Sequence, residues 1–145
     1  MAKGHLTWLY KHYQEICENP ILENFLDTKL VKLEEGKSEF KIKTIDRHSN
    51  IYGTVHGGTL ASICDIAMGT ACLTYAKRVV TIDMNISYIK GAPSGSTLTA
   101  TGQVISNGKT IMRSIGCIFD EQGQLLVSSQ ASYYVTGDFV EHDHP

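Results

Sequence analysis

The sequence lacks the features typical of membrane, nucleic-acid-binding and exported proteins. Its 145 residues include only three prolines and one tryptophan, with no apolar run of about 18 residues and no long basic run. The formal net charge of -2 gives no electrostatic footprint for nucleic acid or for an anionic membrane. The first stretch, MAKGHLTWLYKHYQEICENP, lacks the apolar block of a signal peptide. We therefore expect a soluble protein with no nucleic-acid or membrane partner.

Disulfide and metal signatures are also missing. The four cysteines are scattered, form no C-x-x-C pair and mostly have apolar neighbours: Cys17, Cys64, Cys72 and Cys117. This pattern is typical of reduced packing cysteines and predicts a reducing compartment, the cytoplasm. The histidines have no metal-binding spacing with cysteines or carboxylates, and His142 and His144 fall in a tail expected to fray. We predict no metal.

What the chain does contain is a consistent order of helical and extended patterns. Helical spacing predicts an amphipathic helix over 5–18 and an apolar helix over 59–76. Strands are predicted over 28–35, 38–45, 79–90, 97–106, 110–119 and 125–135. The alternation of Ile82, Met84, Ile86 and Tyr88 with Thr81, Asp83, Asn85 and Ser87 predicts a sheet covered on one face. The fold class is α+β, with an antiparallel sheet wrapped around one long buried helix.

The segment NIYGTVHGGTLASICDIAMG, residues 50–69, carries the strongest functional signal. Gly57 and Gly58 stand where a helix begins, so the backbone can approach a ligand closely and the first amides have no helical acceptor. These amides and the positive end of the helix dipole suit an anion or a developing oxyanion. The alternative is that the glycine pair forms only a tight turn.

Asp65 is the second signal, because it interrupts an apolar helix. Burying a carboxylate is costly, so it must be paired or kept for a task. The alternatives are that Asp65 caps a neighbouring loop or meets a lysine. Eight residues along the helix from Gly57, it lies about 12 Å away, too far to attack a carbonyl polarised by the Gly57 of the same chain. Two helices packed antiparallel about a two-fold axis form two equivalent sites, which predicts an obligate homodimer.

The pattern Asn50-x-x-Gly53-x-x-His56-Gly57-Gly58, followed on the helix by Asp65, has a known counterpart. It resembles the hotdog-fold acyl-CoA thioesterases of the phenylacetate-pathway and human thioesterase superfamily member 2-like group. The stretch TIDMNISYIKGAPSGSTLTATGQVISNGK is similar to the same family. The resemblance covers about residues 20–140 and implies a single hotdog domain over 1–145.

The resemblance implies a role for each matching residue. The Gly57 N–H would polarise the thioester carbonyl, and Asp65 of the partner subunit would act as general base or nucleophile. Asn50 would hold the attacking water or the carboxylate, and His56 would orient the loop or the substrate carbonyl. Thr81 matches a position that often carries a small hydroxyl near the lytic water. The predicted substrate-binding residues are Gly58, Lys90, Lys109 and Met84.

Coenzyme A would enter only as part of the substrate, so no cofactor is expected. Lys90 and Lys109 are candidate phosphate contacts or, alternatively, solvated loop charges, and Gly91 departs from the family pattern, where proline is common. Side chains expected to line the acyl pocket are Met68, Tyr75, Ile82 and Met84. By resemblance alone, dimers are expected to pair into tetramers.

Two other functions fit part of the same pattern. A non-catalytic acyl-CoA-binding hotdog protein would not need a carboxylate beside an oxyanion site. A hotdog acyl dehydratase normally carries its acid residue in a GHFPG-like context, which this chain lacks. A serine hydrolase is disfavoured because PSGSTL is not a G-x-S-x-G elbow.

Overall fold

The computed structural model describes residues 2–141, in which a six-stranded antiparallel sheet packs on one long helix. In chain order the elements are α1 (Ala2–Ile16), α2 (Leu22–Phe25), β1 (Thr28–Glu34), β2 (Lys37–Lys43), α3 (Gly57–Leu73), β3 (Lys77–Tyr88), β4 (Thr97–Asn107), β5 (Ile111–Phe119) and β6 (Leu125–Asp138). The strand order is β1-β2-β4-β5-β6-β3. This confirms the predicted α+β class. The tail with His142 and His144 lies outside the described residues.

Helix α3 is the centre of the core, as its nearly all-apolar sequence predicts. It contacts β2, β3, β4, β5 and β6, and its buried side chains include Leu60, Ile63, Ala67, Met68 and Ala71. The helix ends at Leu73 rather than at the predicted 76. Ala76 has φ 60°, a left-handed conformation that a right-handed helix cannot contain.

Close contacts with the Ala67 carbonyl set the distance between α3 and the sheet. The Ser38 hydroxyl on β2 donates to the Ala67 carbonyl at 2.6 Å. On β4, a Cβ placed on Gly102 would lie 2.1 Å from the same carbonyl oxygen. Only glycine therefore allows the sheet to approach the helix this closely.

We expect Gly102→Ala to lower the free energy of unfolding by about 2–3 kcal/mol, because the helix must move away from the sheet. Urea denaturation of the two proteins measures the difference. Gly91→Ala is the matched control, since a Cβ at Gly91 meets nothing within 4 Å. Equal stability of Gly102→Ala and the control would contradict the close-approach argument.

Two short helices are absent from the sequence prediction: α2 and a 3-10 helix at Asp46–His48. His48 is buried and connects them. Its Nε2 lies 2.7 Å from the Phe25 carbonyl, and its Nδ1 accepts the Ile45 N–H at 3.2 Å. The His48 carbonyl accepts the His56 N–H at 2.9 Å. His48 is therefore the anchor of the loop that leads into α3.

Among residues 2–141, strand β3 lies at the edge of the sheet and pairs with β6 alone. It is 12 residues long, and Val80 and Ile82 on it are 53% and 52% exposed. A long apolar edge strand is an association surface unless something covers it. Within residues 2–141, no helix has both the length and the hydropathy needed to cross a membrane.

Candidate active site

The N-terminus of α3 has two glycine amides, and the chain itself provides an acceptor for one of them. His56 is the N-cap, with φ -61° and ψ 138°, and its Nδ1 accepts the Gly58 N–H at 2.7 Å. The Gly58 amide is thus occupied within the chain. The Gly57 N–H, the first amide of the helix, has no acceptor among residues 2–141. Of the two glycine amides, only that of Gly57 is available to a ligand.

Tyr88, at the end of β3, holds the same turn from the other side. Its hydroxyl donates to the Gly57 carbonyl at 2.8 Å, and a Cβ at Gly57 would meet the Tyr88 ring at 3.5 Å. The sequence analysis predicted Tyr88 only as one of the alternating residues of a strand, with no role in the site. Its contact with the glycine turn depends on tertiary packing, which periodicity does not report.

Asn50 braces the loop that precedes the helix. Its Oδ1 accepts the backbone N–H groups of Tyr52 and Thr54 at 2.9 and 3.1 Å, and its Nδ2 donates to the Thr54 hydroxyl at 2.8 Å. Gly53, at φ 79°, allows the tight turn. One Nδ2 hydrogen remains for a ligand after these contacts.

Asp65 is held by two hydroxyl groups. Its Oδ1 accepts the Thr81 hydroxyl at 2.7 Å and the Tyr133 hydroxyl at 2.8 Å. Lysine does not neutralise it, because the ion pairs of the described residues are Lys29–Asp27 and Lys32–Glu34. Both hydrogen bonds reach Oδ1, and Oδ2 makes none to the described part of its own chain.

A cavity of about 210 Å³ opens beside this carboxylate. Its walls include the apolar side chains of Ile66, Leu73, Val79 and Val80, together with Asp65, Thr81 and Tyr133. Apolar walls around a few polar groups are typical of a small-molecule site. The cavity and the Gly57 amide belong to different parts of α3, separated by about 12 Å along the helix axis.

An irregularity in β3 brings Thr81 to Asp65. Strict alternation would place Thr81 on the opposite face from Met84, which packs against the core. The pairing with β6 shifts register between Thr81 and Asp83, so Ile82 is an extra residue in the strand. Such a bulge redirects the neighbouring side chain. The simple alternation predicted for this strand is therefore wrong at Ile82, and the error hides the contact between Thr81 and Asp65.

The other predicted site residues lie apart from this carboxylate. Lys90 donates to the Gln124 side chain at 2.9 Å, beside a cavity that also contains Asp120 and Glu121. Lys109 is exposed in the turn between β4 and β5. Met84 is half-buried against the core and does not line the cavity at Asp65.

Tyr133, like Tyr88, is a site residue that the sequence prediction missed. It comes from β6, 68 positions after Asp65, and is only 2% exposed. Burial and the adjacent Asp65 carboxylate raise the pKa of its hydroxyl well above the ordinary value. A signal was present, because a tyrosine at an inward position of a strand needs a partner for its hydroxyl.

Comparison with known proteins places this architecture in a family. Residues 52–127 match the thioesterase superfamily. Human acyl-coenzyme A thioesterase 13 is 34% identical over 84 residues, which are 57% of this chain and 60% of that protein. The chain therefore belongs to the thioesterase superfamily, and its resemblance to the hotdog thioesterases is confirmed.

Solved structures show the same fold over nearly the whole chain. The Escherichia coli PaaI protein, from the phenylacetic acid degradation operon, superposes with a TM-score of 0.84 at 22% identity. The match covers 92% of this chain and 96% of that one. A Streptococcus mutans protein bound to acetyl CoA matches with a TM-score of 0.77 at 26% identity, over 83% and 95% of the two chains.

Proposed function

We propose that this protein hydrolyses acyl-CoA thioesters to the free acid and CoA. One observation carries the proposal: the same helix bears two groups suited to thioester hydrolysis. The first is the Asp65 carboxylate, which the hydroxyls of Thr81 and Tyr133 hold in place; we call these two hydrogen bonds the hydroxyl clamp. The second is the first amide of the helix, that of Gly57, which has no acceptor among the described residues. The named activity of human acyl-coenzyme A thioesterase 13 and the acetyl CoA bound to the Streptococcus mutans protein support this choice of substrate.

In the proposed reaction the Gly57 N–H donates to the thioester carbonyl and stabilises the oxyanion that forms on it. Asp65, through Oδ2, takes a proton from the attacking water, or attacks the carbonyl carbon itself and is later released by water. The carbon–sulfur bond breaks and CoA leaves as a thiolate, which is then protonated. Asn50 positions the water or the carboxylate, while His56 holds the glycine turn. These groups suffice without metal or cofactor.

The proposed enzyme is a homodimer with shared sites. The distance of about 12 Å along α3 prevents Asp65 and Gly57 of one chain from acting on the same carbonyl. Two-fold pairing with α3 helices antiparallel brings Asp65 of each chain to the Gly57 of its partner. The exposed edge of β3, with Val80 and Ile82, supplies an apolar surface for that pairing. Pairing of dimers into tetramers is proposed from resemblance alone.

CoA binding is proposed to use the glycine turn and a lysine. Both lysines are exposed, but Lys109 is the stronger phosphate contact, because Lys90 donates to Gln124 beside Asp120 and Glu121. Acidic neighbours oppose a phosphate electrostatically.

We propose Met84 as an acyl-chain contact and the cytoplasm as the compartment. Burial raises the pKa of the Cys64 thiol to about 11, which keeps that thiol protonated at neutral pH.

A panel of acyl-CoA thioesters, short, long and phenylacetyl, with a thiol reagent in the assay, tests the function directly. We expect release of one thiol per thioester consumed for at least one acyl class. Saturable binding without thiol release would instead identify a non-catalytic acyl-CoA binder. Hydration of an enoyl-CoA with its thioester intact would identify a dehydratase.

A further inference from the structure

Both hydroxyl donors to Asp65 converge on a single carboxylate oxygen. Thr81 and Tyr133 lie 2.7 and 2.8 Å from Oδ1. The Tyr133 hydroxyl is also 3.1 Å from the backbone carbonyl of Asp65. The tyrosine therefore contacts the main chain and the side chain of the same residue, which fixes the rotation of the carboxylate relative to the helix.

The position of the tyrosine ring is itself fixed by packing. Tyr133 is 2% exposed, and its ring passes over Gly69, where an added Cβ would meet it at 3.5 Å. Gly69 is one turn beyond Asp65 on the same face of α3. A ring held by the helix and the sheet gives its hydroxyl little freedom to follow a rotating carboxylate.

We infer that Tyr133 is a positioning residue for thioester hydrolysis, which holds Asp65 so that Oδ2 faces the reacting water or thioester carbon. The inference rests on the proposed function. The effect of the Tyr133 hydroxyl passes through the orientation of Asp65, because both of its hydrogen-bond contacts are with that residue. Thr81 donates to the same Oδ1, so the two hydroxyls together leave Oδ2 as the oxygen available for chemistry.

The direction of the hydrogen bond is constant across the range of an assay. The raised pKa of the Tyr133 hydroxyl keeps it protonated at neutral and moderately alkaline pH. It therefore donates to the carboxylate throughout. The hydrogen bonds from Thr81 and Tyr133 to Oδ1 form the hydroxyl clamp, and the protonated state of the Tyr133 hydroxyl preserves its bond.

Tyr133→Phe tests the inference, because it removes the hydroxyl and keeps the ring that packs on Gly69. We expect kcat with the best acyl-CoA to fall about 10- to 100-fold, as for the loss of a hydrogen bond to a charged group. KM should stay within about twofold, since the proposed effect is on the orientation of the attacking group and not on binding. Thermal unfolding, followed by circular dichroism, reports whether the variant stays folded.

Tyr134→Phe is the matched control, because Tyr134 is the next residue on β6 and is 47% exposed. It should leave kcat and KM unchanged. A Tyr133→Phe variant with wild-type kcat would overturn the inference, and so would one in which KM rises as much as kcat falls. Absence of thiol release by the wild-type protein would instead overturn the proposed function and this inference with it, so the two failures are distinguishable.

Thr81→Val and Thr81→Ser extend the test if Tyr133→Phe fails to fold. The valine variant removes the second donor to Oδ1 and the serine variant retains it. We expect a lower kcat for valine and recovery to within about threefold for serine. Equal kcat in both variants would overturn the two-hydroxyl clamp.

Discussion

Asp65→Asn should lower kcat for acyl-CoA hydrolysis by about 10²- to 10⁴-fold while the protein stays folded. The amide oxygen of asparagine can still accept the hydroxyls of Thr81 and Tyr133, which lie 2.7 and 2.8 Å from the present Oδ1. The clamp and the packing of α3 are therefore retained. What is lost is the negative charge that removes a proton from water or attacks the thioester. Steady-state kinetics with the best substrate of the acyl-CoA panel measure the change.

Asp83→Asn is the matched control for this substitution. Asp83 is an exposed carboxylate on β3 whose Oδ1 accepts the Ser132 N–H at 3.2 Å, a bond that asparagine can also accept. We expect its kcat to stay within about twofold of wild type, because it lies outside the clamp. If Asp65→Asn were folded and turned over at the wild-type rate, the chemical role of Asp65 would be wrong.

The sequence patterns were sufficient for the architecture because those patterns depend on local periodicity. The apolar run after Gly58 predicts a buried helix, and α3 occupies Gly57–Leu73. The predicted strand 97–106 appears as β4, Thr97–Asn107. The predicted breaks between the last four strands match the observed ones to within two residues, except at the end of β6. The burial of α3 therefore follows from the pattern of its own segment.

Contacts between distant segments were not accessible in the same way. Tyr133 reaches Asp65 from 68 positions away, and no local pattern states which helix residue a strand tyrosine will meet. The extra residue at Ile82 reverses the face on which Thr81 lies. His48 appeared only as a histidine without metal partners, yet it anchors the loop before the helix through Phe25. Each of these depends on register or on tertiary packing.

Gly57→Pro should remove the proposed oxyanion donor with little change to the helix. Proline suits the first helical position and has no N–H. The preceding His56 has ψ 138°, which suits a residue before proline. A Cβ at Gly57 makes only ordinary contact, 3.5 Å, with Tyr88. We expect kcat to fall about 10²- to 10³-fold, as for loss of one oxyanion donor, whereas Gly57→Ala keeps the amide and should remain active.

Combining the two inactive variants tests whether each site is shared between chains. In a mixed dimer of Asp65→Asn and Gly57→Pro, one site carries both defects and the other has an intact Asp65 and an intact Gly57 amide. Co-expression with random pairing makes about half the dimers mixed, so we expect about a quarter of wild-type activity from two nearly inactive chains. Sites built within single chains would give no recovery, which would refute the shared site.

Mixing wild type with the Asp65→Asn/Gly57→Pro double variant gives the opposite expectation. In such a mixed dimer each site draws one defective group from the double variant, so both sites fail. At equal amounts and random pairing, activity per wild-type chain should fall to about half. If each chain contained a complete site, wild-type chains would keep their full activity in the mixture. Recovery in the first mixture and loss in the second follow together only when Asp65 and Gly57 of different chains act on one thioester.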